Sequence, residues 1–448
     1  MKEYFNFKYS RQSLGLFIVF MGNPLIFFFK EYLGFGGSST FTIGSLFIGL
    51  LLLISPGDLF RKFYKPNIPI TRVAMFFLII SLLACLFYNP FYGYDNDRAA
   101  FTRDIGNFIF IFAFYFLIVG VSNEVANYFL PIALVFTFFG SVCLIYSMAT
   151  NPLFIIGQRA TVVFGDGTST ASGNPHVYAR NAFAGVFASY FFLKSRNILW
   201  KLFAFFNLIL SLVVLILAQA RSILLAFLFS VALFVYFNVG KDTVKVFFKA
   251  LFKPLNLIYI ALFIAGLLYF ISTQQQIIDI IDLYYNTFLE TFSRALLTAF
   301  GLEDEKNLDM SAMGRVNNID LIIFLFSEIP YAFILGGGFR FFYVDVPVIE
   351  TFVDLGIAGV VSFCLMNYMI FKEAVYTLKW KVNPFACFVA YFYMTYFVGI
   401  FTGGEPYGTS YWFIFIVSIR FLGIKYIKEE PVDDVKENEL APLEPAVK

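Results

Sequence analysis

The residues in this sequence whose types and spacing could do chemistry are arginines set between long apolar runs. Arg159 and Arg180 bound a polar stretch, QRATVVFGDGTSTASGNPHVYAR. Arg221 sits in AQARS, Arg315 in SAMGRVNN and Arg340 in LGGGFRFF. A guanidinium is a planar fork that pairs with two oxygens at once, so it suits phosphate and pyrophosphate. Such a set could hold a lipid-linked phosphate at a membrane interface. Each of these side chains could equally snorkel to headgroups or pair with a loop carboxylate. Arg221 stands apart, because it is pinned in the tight connection between two apolar runs, where an uncompensated charge is expensive.

Carboxylates and one imidazole complete the candidate set. In DVPVIETFVDLGIAG, Glu350 and Asp354 are four apart and so share a helix face. Asp345 lies just before that helix. It could accept a proton from a sugar hydroxyl as a general base, or cap the helix, a position aspartate favours. Glu350 and Asp354 read more readily as structural, with Glu350 free to pair with a neighbouring arginine. Asp166, Asp309 and Asp320 lie in the same connections. His176, the single histidine, is either a structural residue or a reserve base. One histidine rules out a multi-histidine metal site, and no metal is expected. Cys85, Cys143, Cys364 and Cys387 all fall inside apolar runs without a CxxC pair, so neither a zinc site nor a structural disulfide is expected. The glycine runs at 336–338 and 403–404 permit tight backbone turns; they shape a cavity or simply end a helix.

The elements that must position these groups are apolar helices. The 448 residues are 60% hydrophobic and only 14% charged, and 64 of them are Phe. A soluble domain carries about 25% charged residues, so too few remain to cover a water-facing surface. About twelve spans are expected, at 13–29, 41–57, 72–90, 105–121, 127–149, 179–193, 198–217, 222–238, 255–272, 347–371, 383–402 and 409–424. The first is the weakest, since Asn23 and Pro24 interrupt it. It reads as a retained helix, because no small-residue cleavage site follows its apolar run. The expected fold class is an all-α polytopic membrane protein: a single transmembrane domain over 1–428 and a disordered cytoplasmic tail over 429–448 that is acidic and lacks aromatics.

Lys and Arg set the orientation. Lys2, Lys8 and Arg11, then Arg61, Lys62, Lys65 and Arg72, then Lys194, Arg196 and Lys201, then Lys241 to Lys253, then Lys372 to Lys381 all fall on one side. By the positive-inside pattern that side is cytoplasmic and holds both termini. The candidate arginines fall on the opposite side, in two large connections at 150–178 and 273–346. Long connections outside a compact scaffold tend to carry function. Within the second, Asp279, Asp282, Asn286, Glu290 and Arg294 recur at helical spacing, predicting an amphipathic surface helix over 276–300. A second helix is predicted over 317–328, ending before Pro330. The net charge of +2 gives no sign of a nucleic-acid partner.

Taken in order, four segments resemble the O-antigen polymerase (Wzy) and O-antigen ligase superfamily of bacterial surface polysaccharide assembly. They are Arg159 followed by Gly173-Asn174-Pro175; AQARSILLAF with Arg221; GRVNNIDLIIFLFSEIPYAFILGGG; and DVPVIETFVDLGIAG, ending at Gly356 and Gly359. The resemblance covers roughly residues 150–365, and the earlier spans add only hydropathy. Ligases of the group carry a His eleven positions before that first Gly. Here the position is Asp345, followed by Val346, which favours the polymerase branch.

The resemblance implies a GT-C-like arrangement in the bacterial inner membrane, with its active site facing the periplasm and no metal, nucleotide sugar or other cofactor. The implied reaction is an inverting glycosyl transfer. A sugar hydroxyl of one undecaprenyl-pyrophosphate-linked repeat attacks the anomeric carbon of a growing lipid-linked glycan, and undecaprenyl pyrophosphate leaves. Arg159, Arg221, Arg315 and Arg340 would hold the pyrophosphate. Asp345 would be the base, with His176 behind it. Membrane lipid and a chain-length regulator protein are the further expected partners. The competing readings are a flippase or transporter of lipid-linked oligosaccharide, which predicts charges buried within spans, and the ligase.

Overall fold

The computed structural model describes residues 6–35, 38–57, 63–88, 98–155, 157–163, 174–239, 322–341, 343–344 and 346–422, with scattered short pieces between 253 and 289. All regular structure among these residues is helical. The helices are α1 (Phe7–Met21), α2 (Asn23–Phe27) running into a π-helical turn (Phe28–Tyr32), α3 (Ser38–Leu53), α4 (Ile68–Phe87), α5 (Arg98–Val119), α6 (Val125–Thr150), α7 (Pro175–Leu193), α8 (Ile198–Ala218), α9 (Arg221–Asn238), the single turn α10 (Ala332–Leu335), α11 (Pro347–Trp380), α12 (Pro384–Thr402) and α13 (Thr409–Phe421).

Seven of these, α4, α5, α6, α8, α9, α11 and α12, are long and apolar enough to cross a membrane. The bent pair formed by α1 with α2 and its π turn makes an eighth. The chain is therefore a multi-pass α-helical membrane protein. Two further expected spans, α3 and α13, are apolar but short. The 179–193 span forms α7, whose polar first turns keep it out of the most apolar set. The 255–272 span and the amphipathic 276–300 helix fall mostly outside the described residues. So do the first part of the predicted 317–328 helix and the 429–448 tail; residues 322–328 of that helix are helical.

Many helix starts are written in asparagine and proline. Asn6, Asn67, Asn174, Asn197 and Asn383 are N-caps, each accepting a backbone N–H of the first turn. The side chain satisfies a donor that the helix leaves orphaned, worth about 1 kcal/mol. At α4, α7 and α12 a proline stands in the first turn as well, where its missing N–H costs nothing. At Gly22-Asn23-Pro24 the break falls inside the first expected span: Gly22 is the N-cap, without a side-chain bond, Pro24 stands in the first turn of α2, and the two helices meet at 65°.

The centre of the bundle is α12 and α13. In α12, 78% of the apolar stretch is buried, against 17% in α9, which places α9 at the lipid-facing rim. Rows of exposed Leu, Ile and Phe on α4, α8 and α9 face outward. In water they would be a liability; in hydrocarbon they are the expected surface. Close approaches rest on small residues. A Cβ at Gly15 would lie 2.7 Å from the Gly49 carbonyl oxygen, so α1 and α3 touch backbone to backbone. Buried polar groups join α6, α7 and α8. The Asn181 amide donates to Thr137 O (2.9 Å) and Ser141 Oγ (3.2 Å), and the Asn207 amide to Ser189 Oγ (3.1 Å).

Candidate functional site

At one end of the bundle α4, α8 and α12 finish and α5, α7, α9, α11 and α13 begin. Two clusters of charged side chains sit there, joined by the α12–α13 connection, residues 403–408.

The first cluster forms around a break in α11. Gly356 adopts φ 63°, ψ −155°, so the helix is interrupted and the Val353 and Asp354 carbonyls lose their intrahelical partners. The glycine run supplies new ones: Gly337 N–H donates to Val353 O (2.7 Å) and Gly338 N–H to Asp354 O (3.1 Å). Both sides of this clasp require glycine. A Cβ at Gly336 would lie 2.1 Å from Asp354 O, and one at Gly356 would lie 2.2 Å from Ile334 O. The run 336–338 therefore docks α10 onto the α11 break. Tyr88, just past α4, holds it from the other side: its hydroxyl donates to Gly336 O (3.2 Å) and its carbonyl accepts from Phe339 N–H (2.8 Å).

The clasp delivers Arg340 into a set of carboxylates. Its Nη2 lies 3.0 Å from Glu405 Oε2 and 3.3 Å from Asp104 Oδ1. Asp104, Glu350 and Asp354 are buried, and Asp354 Oδ1 accepts from Phe341 N–H (3.0 Å). Burial alone would lower the Arg340 pKa; the charges of Glu405, Asp104 and Glu350 outweigh it and raise it. Burial, with Asp354 and Glu350 nearby, pushes the Tyr407 hydroxyl well up. One oxygen each of Glu350 and Asp354 lacks a hydrogen bond among the described residues. The shared helix face expected for Glu350 and Asp354 is real, and it points inward at Arg340. Arg340, expected among the phosphate ligands, meets Glu405 and Asp104 through Nη2.

The second cluster gathers at the α8–α9 turn. Gln219 there is left-handed, with φ 47°. Its carbonyl accepts from Arg159 Nη2 (3.2 Å), its side-chain amide donates to Gly157 O (3.2 Å), and Ala160 N–H donates to Leu217 O (2.9 Å). The segment 157–163 is thereby pinned to the turn that carries Arg221. His176 Nδ1 lies 3.4 Å from Ser222 Oγ, linking the start of α7 to α9. Arg159 and His176 thus reach Gln219 and Ser222, on either side of Arg221 in the chain, although 62 positions separate the two arginines. Asp345 and Arg315 lie outside the described residues.

Arg180 lies one turn beyond His176 on α7. Its guanidinium carbon is 4.5 Å from the Tyr396 ring centre and 5.9 Å from that of Tyr411, and it hydrogen-bonds the Tyr396 hydroxyl. Tyr411 in turn donates to Gly403 O (2.7 Å), two residues from Glu405. Sequence reading noted Arg180 but did not single it out as a site residue. The i, i+4 relation to His176 behind an Asn-Pro cap was the available signal. Asp104, Glu405 and Tyr407 were missed altogether. Among the described residues no group of three or more His, Cys, Asp or Glu side chains is arranged to hold a metal.

No family model matches this chain, and neither does any curated protein.

Proposed function

We propose that the chain is a polymerase of lipid-linked oligosaccharide repeats. It would join undecaprenyl-pyrophosphate-linked units into O-antigen or a related surface polysaccharide by inverting glycosyl transfer at the periplasmic face of the inner membrane. The proposal includes twelve spans in a GT-C-like arrangement with both termini cytoplasmic. The observation that carries the reading is that Arg159 and His176 both bond the α8–α9 turn that carries Arg221, at Gln219 and Ser222. Fixed cations facing a leaving pyrophosphate stabilise charge that grows as the glycosidic bond breaks, and they cost no reorganisation at that moment. Arg315 completes the cationic set, and Asp345 takes the proton from the attacking hydroxyl. Arg340 contributes by holding the α11 break against the α12–α13 connection, and a chain-length regulator is the expected protein partner. The test is the polysaccharide ladder of a strain lacking this chain. Loss of long chains with a single capped repeat retained fits a polymerase; an unchanged ladder refutes it.

One observation favours a second reading. The broken α11 buries Glu350 and Asp354 beside Arg340, and discontinuous helices with interior charges are a recurring device of transporters. A flippase for the same lipid-linked oligosaccharide would use them. Loss of every repeat from the ladder would favour it.

A further inference from the structure

We infer that the cleft between the α1–α2 break, α7 and α12 binds the phosphate group of a lipid anion, with Arg180 as the cation that holds it. The inference rests on the polymerase reading only for the identity of the lipid.

The cleft exists because Gly22-Asn23-Pro24 turns the chain by 65° and leaves space beside α7. Its lining is of two kinds. Phe20, Met21, Pro24 and Phe392 are apolar; Asn23 and Arg180 are polar. A ligand matching that lining carries an anionic head on an apolar chain.

The charge balance around Arg180 points the same way. No carboxylate lies within 4 Å of it among the described residues; its partners there are Tyr396 and Tyr411. Its Nε is shielded from solvent and makes no hydrogen bond among the described residues, as is also true of Arg340 Nε, so the difference between the two lies in the carboxylates. Cation–π contacts offset part of the cost of desolvating a guanidinium, but they add no counter-charge. An arginine in this state gains from an anion that accepts from two of its nitrogens, and phosphate oxygens match that fork. The tyrosines hold the guanidinium in place beforehand, so little side-chain freedom is lost on binding. At Arg340 two carboxylates already fill this role.

The test is equilibrium binding of a fluorescent short-chain polyprenyl pyrophosphate to the purified full chain in nanodiscs of neutral lipid. Inorganic pyrophosphate and phosphatidylglycerol serve as separate competitors. Arg180→Gln should weaken binding about ten- to a hundredfold, the scale of a lost hydrogen-bonded charge pair. Arg180→Lys, which keeps the charge and loses the fork, should fall between. Val177 also lines the cleft; Val177→Trp, which fills it, should weaken binding at least as much as Arg180→Gln and guards against an Arg180→Gln chain that does not fold. Competition by inorganic pyrophosphate marks the phosphate as the recognised part, and competition by phosphatidylglycerol marks a bulk-lipid source; either supports the site. Unchanged affinity in a folded Arg180→Gln or Val177→Trp chain overturns it. No acceptor or turnover is involved, so a chain that binds the probe but makes no polymer refutes the polymerase reading alone. A chain that polymerises while folded Arg180→Gln binds like wild type refutes the cleft alone.

Discussion

Two arginines at the same end of the bundle are treated in opposite ways. Arg340 reaches Glu405 at 3.0 Å and Asp104 at 3.3 Å, with Glu350 close by. Arg180 rests on two tyrosine rings with no carboxylate among its described neighbours. The first arrangement ties together α5, the glycine run, α11 and the α12–α13 connection, and so holds the fold. The second leaves a positive charge on two aromatic rings beside a cleft. In a membrane protein, then, the residue type alone does not say which arginine works on substrate. The partners do.

Arg340→Ala would remove the positive charge that Glu350, Asp354 and Glu405 share and leave Asp104 with Arg103 at 3.7 Å; removing one partner of a buried pair costs about 3–5 kcal/mol. Thermal melting in detergent should show a large loss of folded protein. A melt within a degree of wild type would mean the cluster holds nothing together. Arg221→Ala should abolish polymer while leaving membrane insertion and melting near wild type; full-length ladders from this variant would remove Arg221 from the pyrophosphate site.

Gly356→Ala loads the clasp between α10 and the α11 break. The added Cβ meets Ile334 O at 2.2 Å on a backbone with φ 63°, a strain of about 1–3 kcal/mol before the clash is relieved. A melting loss smaller than that of Arg340→Ala but larger than that of Arg180→Gln is expected. The smallest effect belongs to the buried amide Asn207, which bonds neutral groups of α6, α7 and α8. Hydrogen bonds between membrane helices average about 0.6 kcal/mol, so Asn207→Ala should shift melting only slightly. A collapse of the fold would show that the α6–α7–α8 network matters more than the charged end.

Much of this division was legible in the sequence, though unevenly. The apolar runs gave the helices, since a hydrocarbon solvent leaves the backbone few alternatives. Asn23-Pro24 marked the weak first span, and the structure turns that weakness into a bend. Glu350 and Asp354 at four-residue spacing foretold a shared face. What the face meets was not readable, because Asp104, Arg340 and Glu405 are brought to it by three separate elements. The break at Gly356 was hidden too. DLGIAG reads as continuous helix, and only the approach of Gly336 explains the positive φ. Arg180 was overlooked for a related reason. Its significance lies in the absence of a carboxylate within 4 Å among the described residues and in Tyr396 and Tyr411, more than 200 positions away.

The most direct test of the account is reconstitution. The purified chain would be placed in liposomes with an undecaprenyl-pyrophosphate-linked repeat and a chelator, and the lipid-linked products separated by size. The account predicts dimers and longer glycans on the lipid, with undecaprenyl pyrophosphate released in step, and neither from Arg221→Ala. Repeats that cross the bilayer without growing would contradict it in favour of the flippase, and repeats that neither grow nor move would contradict it outright.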